Sequence, residues 1–550
     1  MSLDTAKAYF ISQRDVVLRL RPEQKTSKNA ANHLILGDYL RYLGETQGEW
    51  AKVKCRGDEG WLKQDWFAEQ RLLEINFVDI GQGDGCHLVT PDDEVILIDA
   101  GEGKGLGGKG GDNMARFISW RYNLRCRDEH KPPFAIDHAV ITHPDMDHYY
   151  GFYSLFCHPK LKINSISHNG IVERPLAGAN QKDWFADLGR KIPPEPRKKT
   201  YHLWDTVTTH EAMNDLLDAH PTTQKYYLKT LRGARENNPD IRFKFVDQSQ
   251  KFFAKYNHNH DLQLEVLAPI TEDVTFNGET RDCLRKLGSE SETKNGHSVV
   301  FKLKFGKLKV LLGGDLNARS QDYIAQYYSG IDTRMSDLEA EIREIREELI
   351  SQELSIDERK AMEQRLDEHR KLLDLIITKT RGVFQCDIAK ACHHGASDVL
   401  DSFLKAINPV ATVISSGDQE SHSHPRPDAL GAFGKASRGH RPLIFSTELA
   451  RSSHEFSYPI KSYEKLKALD AEKLAATTKK DKEAIQQKME EFRDSNVARY
   501  GMITIRTDGE RVIIAQKLEE ERSAGQKWDI YDLFWNEKLQ EFEYHKSGGH

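Results

Sequence analysis

The sequence is poor in cysteine and has no long apolar segment. Its seven cysteines are dispersed along 550 residues and form no CxxC pair, so we expect reduced thiols and a cytoplasmic protein. No apolar run approaches the roughly 20 residues that a membrane-spanning helix needs, and the first residues lack the basic and apolar regions of a signal peptide. We therefore predict neither a disulfide scaffold nor a membrane protein.

A strong charge of one sign is also missing. The formal net charge is −6, so no global basic field attracts nucleic acid, although Arg197-Lys-Lys199 is a local basic patch. The segment 101–112 carries seven glycines but lacks the GK[ST] of a phosphate-binding loop. We expect it to be a flexible loop beside a site.

The chain is organised around the hexapeptide His143-Pro-Asp-Met-Asp-His148, which follows the apolar run His138–Thr142. That run predicts a buried strand, so two imidazoles and two carboxylates leave one strand end. These groups are preferred ligands of Zn, Mn and Fe. The segment predicts a metal site, and the alternative is a polar loop that merely contains histidines.

Residues 1–70 are predicted to form a first module, since a chain of this length exceeds one core. Short alternating apolar runs punctuated by glycine indicate a small all-β barrel. The succession LRLRP, GD, LGE, GxWxKV and GxxGW resembles the bacterial SH3-like domain. The resemblance implies a module that binds a protein partner, or one that only packs on its neighbour.

Residues 71–516 are predicted to form an α/β domain, followed by an aromatic tail, 517–550, that docks on the body. Three charged helical segments are predicted insertions: 180–260, 331–381 and 460–498. The first is a candidate lid or substrate wall, or a solvated helical surface. The second predicts a helical hairpin with capping boxes at Ser336 and Ser355, and a coiled-coil dimer arm is the alternative.

Motifs across residues 72–516 resemble the metallo-β-lactamase fold, an αββα sandwich. The motifs are FVDIGQGDG (77–85), ILIDAG (96–101), ITHPDMDH (141–148), NGHSVV (295–300), GGD (313–315), CHHG (392–395), HP (424–425) and GMITIRTDG (501–509). They are most similar to the branch found as the soluble domain of the DNA-uptake channel protein ComEC. In both, an aspartate, here Asp145, replaces the second histidine of the general HxHxDH pattern.

The resemblance implies two divalent metal ions bridged by Asp315. The ligands implied for the first ion are His143, Asp145 and either His297 or Asn295. Those implied for the second ion are Asp147, His148 and either His394 or His393.

Other residues are predicted to support the ligands or the reaction. Asp84 and Asp99 are candidate hydrogen-bond acceptors behind the ligands. Asp147 would help to position the attacking water, and His424 could contact a phosphate oxygen or protonate the leaving group. Ser415 and Ser416 are candidate pocket residues.

Paired metals about 3.5–4 Å apart activate water and clamp the attacking and leaving oxygens. The extra carboxylate moves the metal preference from Zn toward Mn without excluding Zn. We predict a dinuclear hydrolase, a nuclease or phosphodiesterase acting on DNA or RNA. The alternatives are a small-molecule ester, lactone or thioester hydrolase, and a partner-triggered effector of a defence or signalling system.

Overall fold

The computed structural model describes residues 3–23, 27–81, 83–103, 112–122, 132–175, 188–192, 200–351, 353–417, 423–439, 441–447, 460–494, 502–518 and 521–545. The basic patch Arg197-Lys-Lys199 and most of the glycine-rich loop lie outside the described residues. Among the helices that are described, none combines the length and apolar character needed to cross a bilayer.

The N-terminal module is a seven-stranded, antiparallel sheet of order β3-β2-β6-β5-β4-β1-β7. Its strands are β1 (Ala8–Ile11), β2 (Asp15–Arg19), β3 (Ala30–Ile35), β4 (Tyr39–Gln47), β5 (Trp50–Cys55), β6 (Asp58–Lys63) and β7 (Phe67–Ala68). Leu18, Leu40 and Val53 lie in a core of its own. The predicted all-β module is confirmed, whereas its SH3-like identity stays a prediction.

Two large sheets form the body. The ten-stranded sheet contains, in order, β17 (Arg242–Phe245), β14 (Ser165–His168), β12 (His138–Ile141), β10 (Val95–Ala100), β9 (Gly85–Val89), β8 (Leu73–Val78), β26 (Met502–Thr507), β27 (Val512–Lys517), β28 (Trp528–Asn536) and β29 (Glu541–Tyr544). The six-stranded sheet contains β18 (Leu262–Ala268), β21 (Val300–Phe305), β22 (Leu308–Leu312), β23 (Ile388–Lys390), β24 (Ala411–Ile414) and β25 (Leu443–Ser446). Because β28 and β29 extend the first sheet, a boundary at residue 516 would divide it.

Smaller sheets complete the strand set. They are β11 (Phe134–Ile136) with β13 (Leu161–Ile163), and the series β15 (Lys191–Ile192), β16 (His202–Leu203), β20 (Glu279–Arg285) and β19 (Thr271–Phe276). The helices are α1 (Asn113–Arg121), α2 (Met146–Tyr149), α3 (Phe152–Phe156), α4 (His210–Ala219), α5 (Tyr226–Asn237), α6 (Glu290–Gly296), α7 (Ala318–Ser329), α8 (Met335–Ser351), α9 (Ile356–Phe384), α10 (Asp401–Ile407), α11 (Pro427–Ala436), α12 (Ile460–Ala475) and α13 (Lys479–Asp494).

The body has four layers. Side chains of both large sheets, such as Phe77 and Val310, share one apolar core. The opposite face of the ten-stranded sheet packs on α1, α3, α4 and α5, and that of the six-stranded sheet packs on α7 to α11. This helix–sheet–sheet–helix order follows from the two-sided burial of the strands, and it matches the predicted αββα sandwich.

The helical hairpin of α8 and α9 is partly built into the body. Leu338, Ile342 and Ile376 belong to the core under the six-stranded sheet, and Ser402 donates its backbone N–H to Glu339 at 2.7 Å. The predicted capping box at Ser355 is present. The one at Ser336 is wrong, because α8 begins at Met335 and the backbone N–H of Ser336 is bound by Asp322 at 3.0 Å.

A buried ionic network joins the N-terminal module to the body. Both Arg56 nitrogens donate to Asp38 at 2.6 Å, and Arg506 lies 3.8 Å from Asp38 and 2.5 Å from Glu74. Arg121 also binds Glu74, at 2.7 Å. Asp38, Glu74 and Arg506 are buried. The network therefore places the Asp38–Arg56 pair of the module beside the excess positive charge that Arg121 and Arg506 leave around Glu74.

Candidate metal centre

The hexapeptide lies at the end of a central strand. β12 is flanked by the parallel strands β10 and β14, and the chain leaves it through His143 and Asp145. Asp145 precedes the one-turn helix α2, which holds Asp147 and His148. Both imidazoles are fully buried, whereas the carboxylates of Asp145 and Asp147 are about one fifth exposed (22% and 21%). The motif therefore faces a cleft with its carboxylates.

The other sheet supplies its ligands from two strand ends. Asp315 follows β22 after two glycines, and His394 follows β23 in the tight turn Cys392–Gly395. His393 and His394 have φ of 46° and 51° in this turn, a left-handed conformation that is strained for such residues. The turn directs His394 toward the hexapeptide.

Four side chains form the second predicted ligand set. Oδ2 of Asp315 lies 3.2 Å from Nε2 of His148 and 3.0 Å from Nε2 of His394. The two Nε2 atoms are 3.2 Å apart. Asp147 lies 3.5 Å from Nε2 of His394 and 4.0 Å from that of His148. The structure thus brings these four side chains together.

Acceptors behind both histidines leave Nε2 available for a metal. Nδ1 of His148 lies 2.8 Å from Asp99, and Nδ1 of His394 lies 3.0 Å from the Ser415 carbonyl and 3.2 Å from Asp84. An acceptor on Nδ1 places the proton there and frees Nε2. One ligand-type atom of Asp84 lies within 4.8 Å of such atoms from His148, Asp315 and His394, but its position on the Nδ1 side favours the supporting role.

A close backbone approach brings Asp84 to the site. Gly83 has φ of 104°, and a Cβ there would lie 1.7 Å from the Asp147 carbonyl oxygen. The backbone N–H of Asp84 donates to that same oxygen at 3.2 Å. Ser415 donates its hydroxyl to the Gly83 carbonyl at 3.0 Å. The backbone around Gly83 therefore packs directly against Asp147. A side chain at Gly83 would clash there.

Buried polar atoms without hydrogen bonds mark the first predicted ligand set. Nε2 of His143, Oδ1 of Asp315 and Oδ1 of Asn295 are all buried and have no hydrogen-bond partner among the residues that the structure describes. Nε2 of His143 lies 3.7 Å from Asp145, and its ring centroid is 4.0 Å from that of His148. Buried polar groups are rarely left without a hydrogen bond, and each of these three atoms has a lone pair that can bind a divalent metal.

His297 does not join this set. It caps the end of α6, and its Nε2 lies 2.6 Å from the Arg285 carbonyl oxygen. Burial lowers its pKa to about 4. The amide of Asn295 instead lies 3.4 Å from Nε2 of His393. The ring nitrogen of His297 thus contacts a backbone carbonyl, and the structure does not bring His297 to the first predicted ligand set. Asn295 lies beside the cluster.

His393 and His424 lie at the rim. Nδ1 of His393 is bound by Asp398 at 2.9 Å, and its Nε2 is 3.9 Å from Asp315. His394 is closer to the cluster, as predicted. The ring centroid of His424 lies 5.9 Å from that of His393 and 6.3 Å from that of His394. Among the predicted pocket residues, Ser415 and Ser416 are both buried.

Two lysines of the site had no place in the sequence-based prediction. Lys390 is buried, forms an ion pair with Asp84 and lies 3.6 Å from Oδ1 of Asp315. Lys294 lies 2.6 Å from Asp145 and 3.1 Å from Glu173. Lys390 ends the apolar strand β23, and a charge in such a strand was the signal that could have revealed it.

The electrostatics of the cluster favour a bound cation. Burial alone would lower the pKa of His148, but Asp315, Asp99 and Asp147 hold it well above its usual value. His394 is shifted in the same direction, since Asp315 and Asp84 outweigh burial. Without a metal the imidazoles hold protons, and metal binding must displace them. The donor set and its orphaned atoms fit a pair of divalent ions.

The comparison with protein families agrees with this geometry. Residues 86–350 match the family model described as "Metallo-beta-lactamase superfamily". The match spans the hexapeptide and Asp315 and ends within α8, before His394. No curated protein matches the chain. Residues 86–350 are therefore similar to a metallo-beta-lactamase superfamily domain. The buried aspartate–histidine cluster, to which this segment contributes His148 and Asp315, suits a metal-dependent hydrolase.

Proposed function

We propose that the protein is a dinuclear-metal phosphodiesterase that acts on nucleic acid. One observation carries the proposal: the two oxygens of Asp315 serve different groups. Oδ2 contacts His148 and His394, whereas the buried Oδ1 forms no hydrogen bond within the described part of the chain and lies 3.6 Å from Lys390. A carboxylate in this state suits a bridge between two ions.

Two divalent ions would supply an activated water and a clamp on the attacking and leaving oxygens. His143, Asp145 and Asn295 would hold one ion, and Asp147, His148 and His394 the other. Three aspartates and an amide make the donor set oxygen-rich, which favours Mn or Zn and a phosphoryl oxygen as guest. The similarity to the ComEC-like branch supports nucleic acid as the substrate.

The protein's own groups have separate tasks. Asp99 and Asp84 fix the orientation of the two imidazoles through their Nδ1 atoms. His424, beside His393 and His394, is placed to give a proton to the leaving oxygen. Asp147, about one fifth exposed, lines the cleft together with Asp145 and orients the attacking water.

Two rival functions use the same residues differently. A small-molecule hydrolase would cleave an ester, lactone or thioester at this centre. A partner-triggered effector would rely on the N-terminal module, in its SH3-like role, or on the helical hairpin to receive a protein signal. The observation that favours phosphodiester cleavage over the first rival is the oxygen-rich ligand set.

The test compares the wild type with Asp147→Asn and the control Asp401→Asn. Asp401 is a half-exposed aspartate that pairs with Lys435 at 3.1 Å outside the cluster. After chelation and reloading with Mn or Zn, all three are assayed on single-stranded DNA, double-stranded DNA, RNA and bis-p-nitrophenyl phosphate. We expect the wild type and the control to cleave a diester, and Asp147→Asn to be slower by at least about a hundredfold.

Other outcomes decide between the rivals. Hydrolysis of a lactone or thioester, with no diester cleaved, would replace the proposal with the small-molecule function. Activity that requires an added partner protein would support the triggered effector. Equal activity of Asp147→Asn and the wild type would refute the assignment of Asp147.

A further inference from the structure

We propose that the cleft beside Asp147 binds a single nucleoside phosphate unit, with the base stacked on Tyr226 and the phosphate next to Lys294. The inference rests on the proposed phosphodiesterase function and names the part of the substrate that the protein recognises.

The cleft has the size of a nucleotide site. It encloses about 870 Å³ and opens directly onto Asp145 and Asp147. Small-molecule sites have volumes of roughly 300–1,000 Å³. A nucleoside phosphate fits this space, whereas the broad surface of a duplex does not. The substrate therefore presents one unit to the cleft, from a strand end or as a small diester.

Lys294 gives the cleft a cationic group beside the metal ligands. Its Nζ lies 2.6 Å from Asp145, 3.1 Å from Glu173 and 3.7 Å from Glu290. Its side chain is only 12% exposed, so these carboxylates hold the ammonium in one place. A phosphate bound against Asp145 would meet this ammonium, which is a common phosphate-binding group.

Tyr226 supplies an aromatic surface in the lining of the same cleft. It is the first residue of α5 and is 40% exposed. Its ring packs edge-on against Tyr150 at 5.0 Å between centroids, and the adjacent Tyr227 packs against Tyr149 at 4.9 Å. Tyr149 and Tyr150 end the helix that carries Asp147. The aromatic ring is thus held at a fixed position relative to the metal ligands.

An exposed aromatic ring in the same cleft as the Lys294 ammonium suits a nucleobase and its phosphate. Bases stack on tyrosine without regard to sequence, because every base has a π face. Met146, 47% exposed and also part of the lining, adds an adaptable apolar surface. The arrangement selects for the presence of a base rather than for its identity.

The test uses two substrates that share a 4-nitrophenyl leaving group: thymidine 5′-(4-nitrophenyl phosphate) and methyl 4-nitrophenyl phosphate. The variants are Tyr226→Leu, Tyr226→Phe and Tyr327→Leu. Tyr327, on α7, is a matched control because it is 50% exposed and packs on Tyr328 away from the cleft. We expect Tyr226→Leu to raise KM for the thymidine ester by about tenfold and to leave the methyl ester unchanged.

Tyr226→Phe keeps the aromatic ring and should therefore keep the lower KM for the thymidine ester, whereas Tyr327→Leu, outside the cleft, should behave as the wild type with both substrates. An equal effect of Tyr226→Leu on both esters, or no effect on either, would overturn the stacking role.

If the wild type hydrolyses neither ester, the phosphodiesterase proposal fails. Calorimetric binding of thymidine 5′-phosphate to the metal-loaded protein then decides the inference. Binding that Tyr226→Leu weakens about tenfold supports it, and the absence of binding overturns it.

Discussion

At the scale of single residues, Asp315 is the side chain on which both ligand sets depend. Its Oδ2 lies within 3.2 Å of His148 and His394, whereas its buried Oδ1 forms no hydrogen bond with the described residues and lies 3.6 Å from Lys390. We expect Asp315→Ala to lose both metals, because each ion would lose a ligand. Elemental analysis of the purified variant measures this. Asp401→Asn should keep the metal content of the wild type, and full occupancy in Asp315→Ala would contradict the bridging role.

Buried neutral histidines predict the pH dependence of stability. Burial lowers the pKa of His87 to about 3 and that of His138 and His168 to about 4. Below about pH 6.5 these histidines bind protons in the unfolded chain, whereas in the folded chain they stay neutral. The free energy of unfolding should therefore fall as pH drops from about 6.5 toward 4, by about 1.4 kcal/mol per pH unit for each histidine.

His168→Gln isolates one of these groups. Between pH 7 and pH 5 the free energy of unfolding of this variant should fall less than that of the wild type, by the contribution of one histidine. Denaturant unfolding at pH 7 and pH 5 measures this difference. The buffer contains a chelator, because metal binding has its own pH dependence. Substitution of His258, which is exposed, should leave the pH dependence unchanged. An unaltered pH dependence in His168→Gln would show that His168 is protonated in the folded protein.

Local motifs made a metal site at the hexapeptide predictable, because four donor groups stand within six residues. The side chains behind these candidate ligands come from elsewhere and carry no local signal: Asp84 arrives through a glycine turn, and Lys390 ends a buried strand. For His297 the reason is different. Spacing placed it near the site, but its position as the cap of α6 turns the ring toward the Arg285 carbonyl, and sequence alone does not give that direction.

At the scale of elements, the α8–α9 hairpin has two parts that contribute differently to the free energy of folding. Near its base, Leu338, Ile342 and Ile376 are buried in the body. Near its tip, Ile350 and Ile356 are 86% and 87% exposed. Heptad-like spacing predicted the helices, but it could not show that one end packs into the sheet.

Truncation of the hairpin should separate these parts. Replacing residues 346–364 with a short Gly/Ser link should leave a folded, metal-loaded protein, because changing loop length costs little. Replacing residues 336–380 removes buried leucine and isoleucine side chains that each contribute about 2–5 kcal/mol, so we expect unfolding. Circular dichroism and metal content measure both outcomes. A folded protein after the longer replacement would place the whole hairpin outside the core.

At the scale of the whole molecule, the N-terminal module is fastened to the body by charge. Asp38 binds Arg56 and neighbours Arg506, which binds Glu74. Burial raises the pKa of Glu74, but Arg121 and Arg506 outweigh it and hold that pKa far below its usual value. The sequence predicted a separate module and could not reveal this network, because its members lie hundreds of residues apart.

Removing one member should therefore destabilise the entire chain. We expect Asp38→Ala to lower the free energy of unfolding by about 3–5 kcal/mol, because it leaves Arg56, whose side chain is 15% exposed, without its carboxylate partner. Glu49→Ala, which breaks an exposed pair with Lys63, should cost less than about 1 kcal/mol. Denaturant unfolding of both variants tests this. Equal small effects would mean that the junction is hydrated and the module independent.

The two sheets each provide only half of the ligands, and His148 and His394 are 246 residues apart in the chain. In polymer terms, an ion held between them is a cross-link that closes a very long loop. A covalent closure of that length would restrict the unfolded chain by on the order of 5 kcal/mol. The metal centre would then stabilise the contact between the two sheets in addition to its catalytic role. Removal of the metal would weaken that contact before either sheet unfolded.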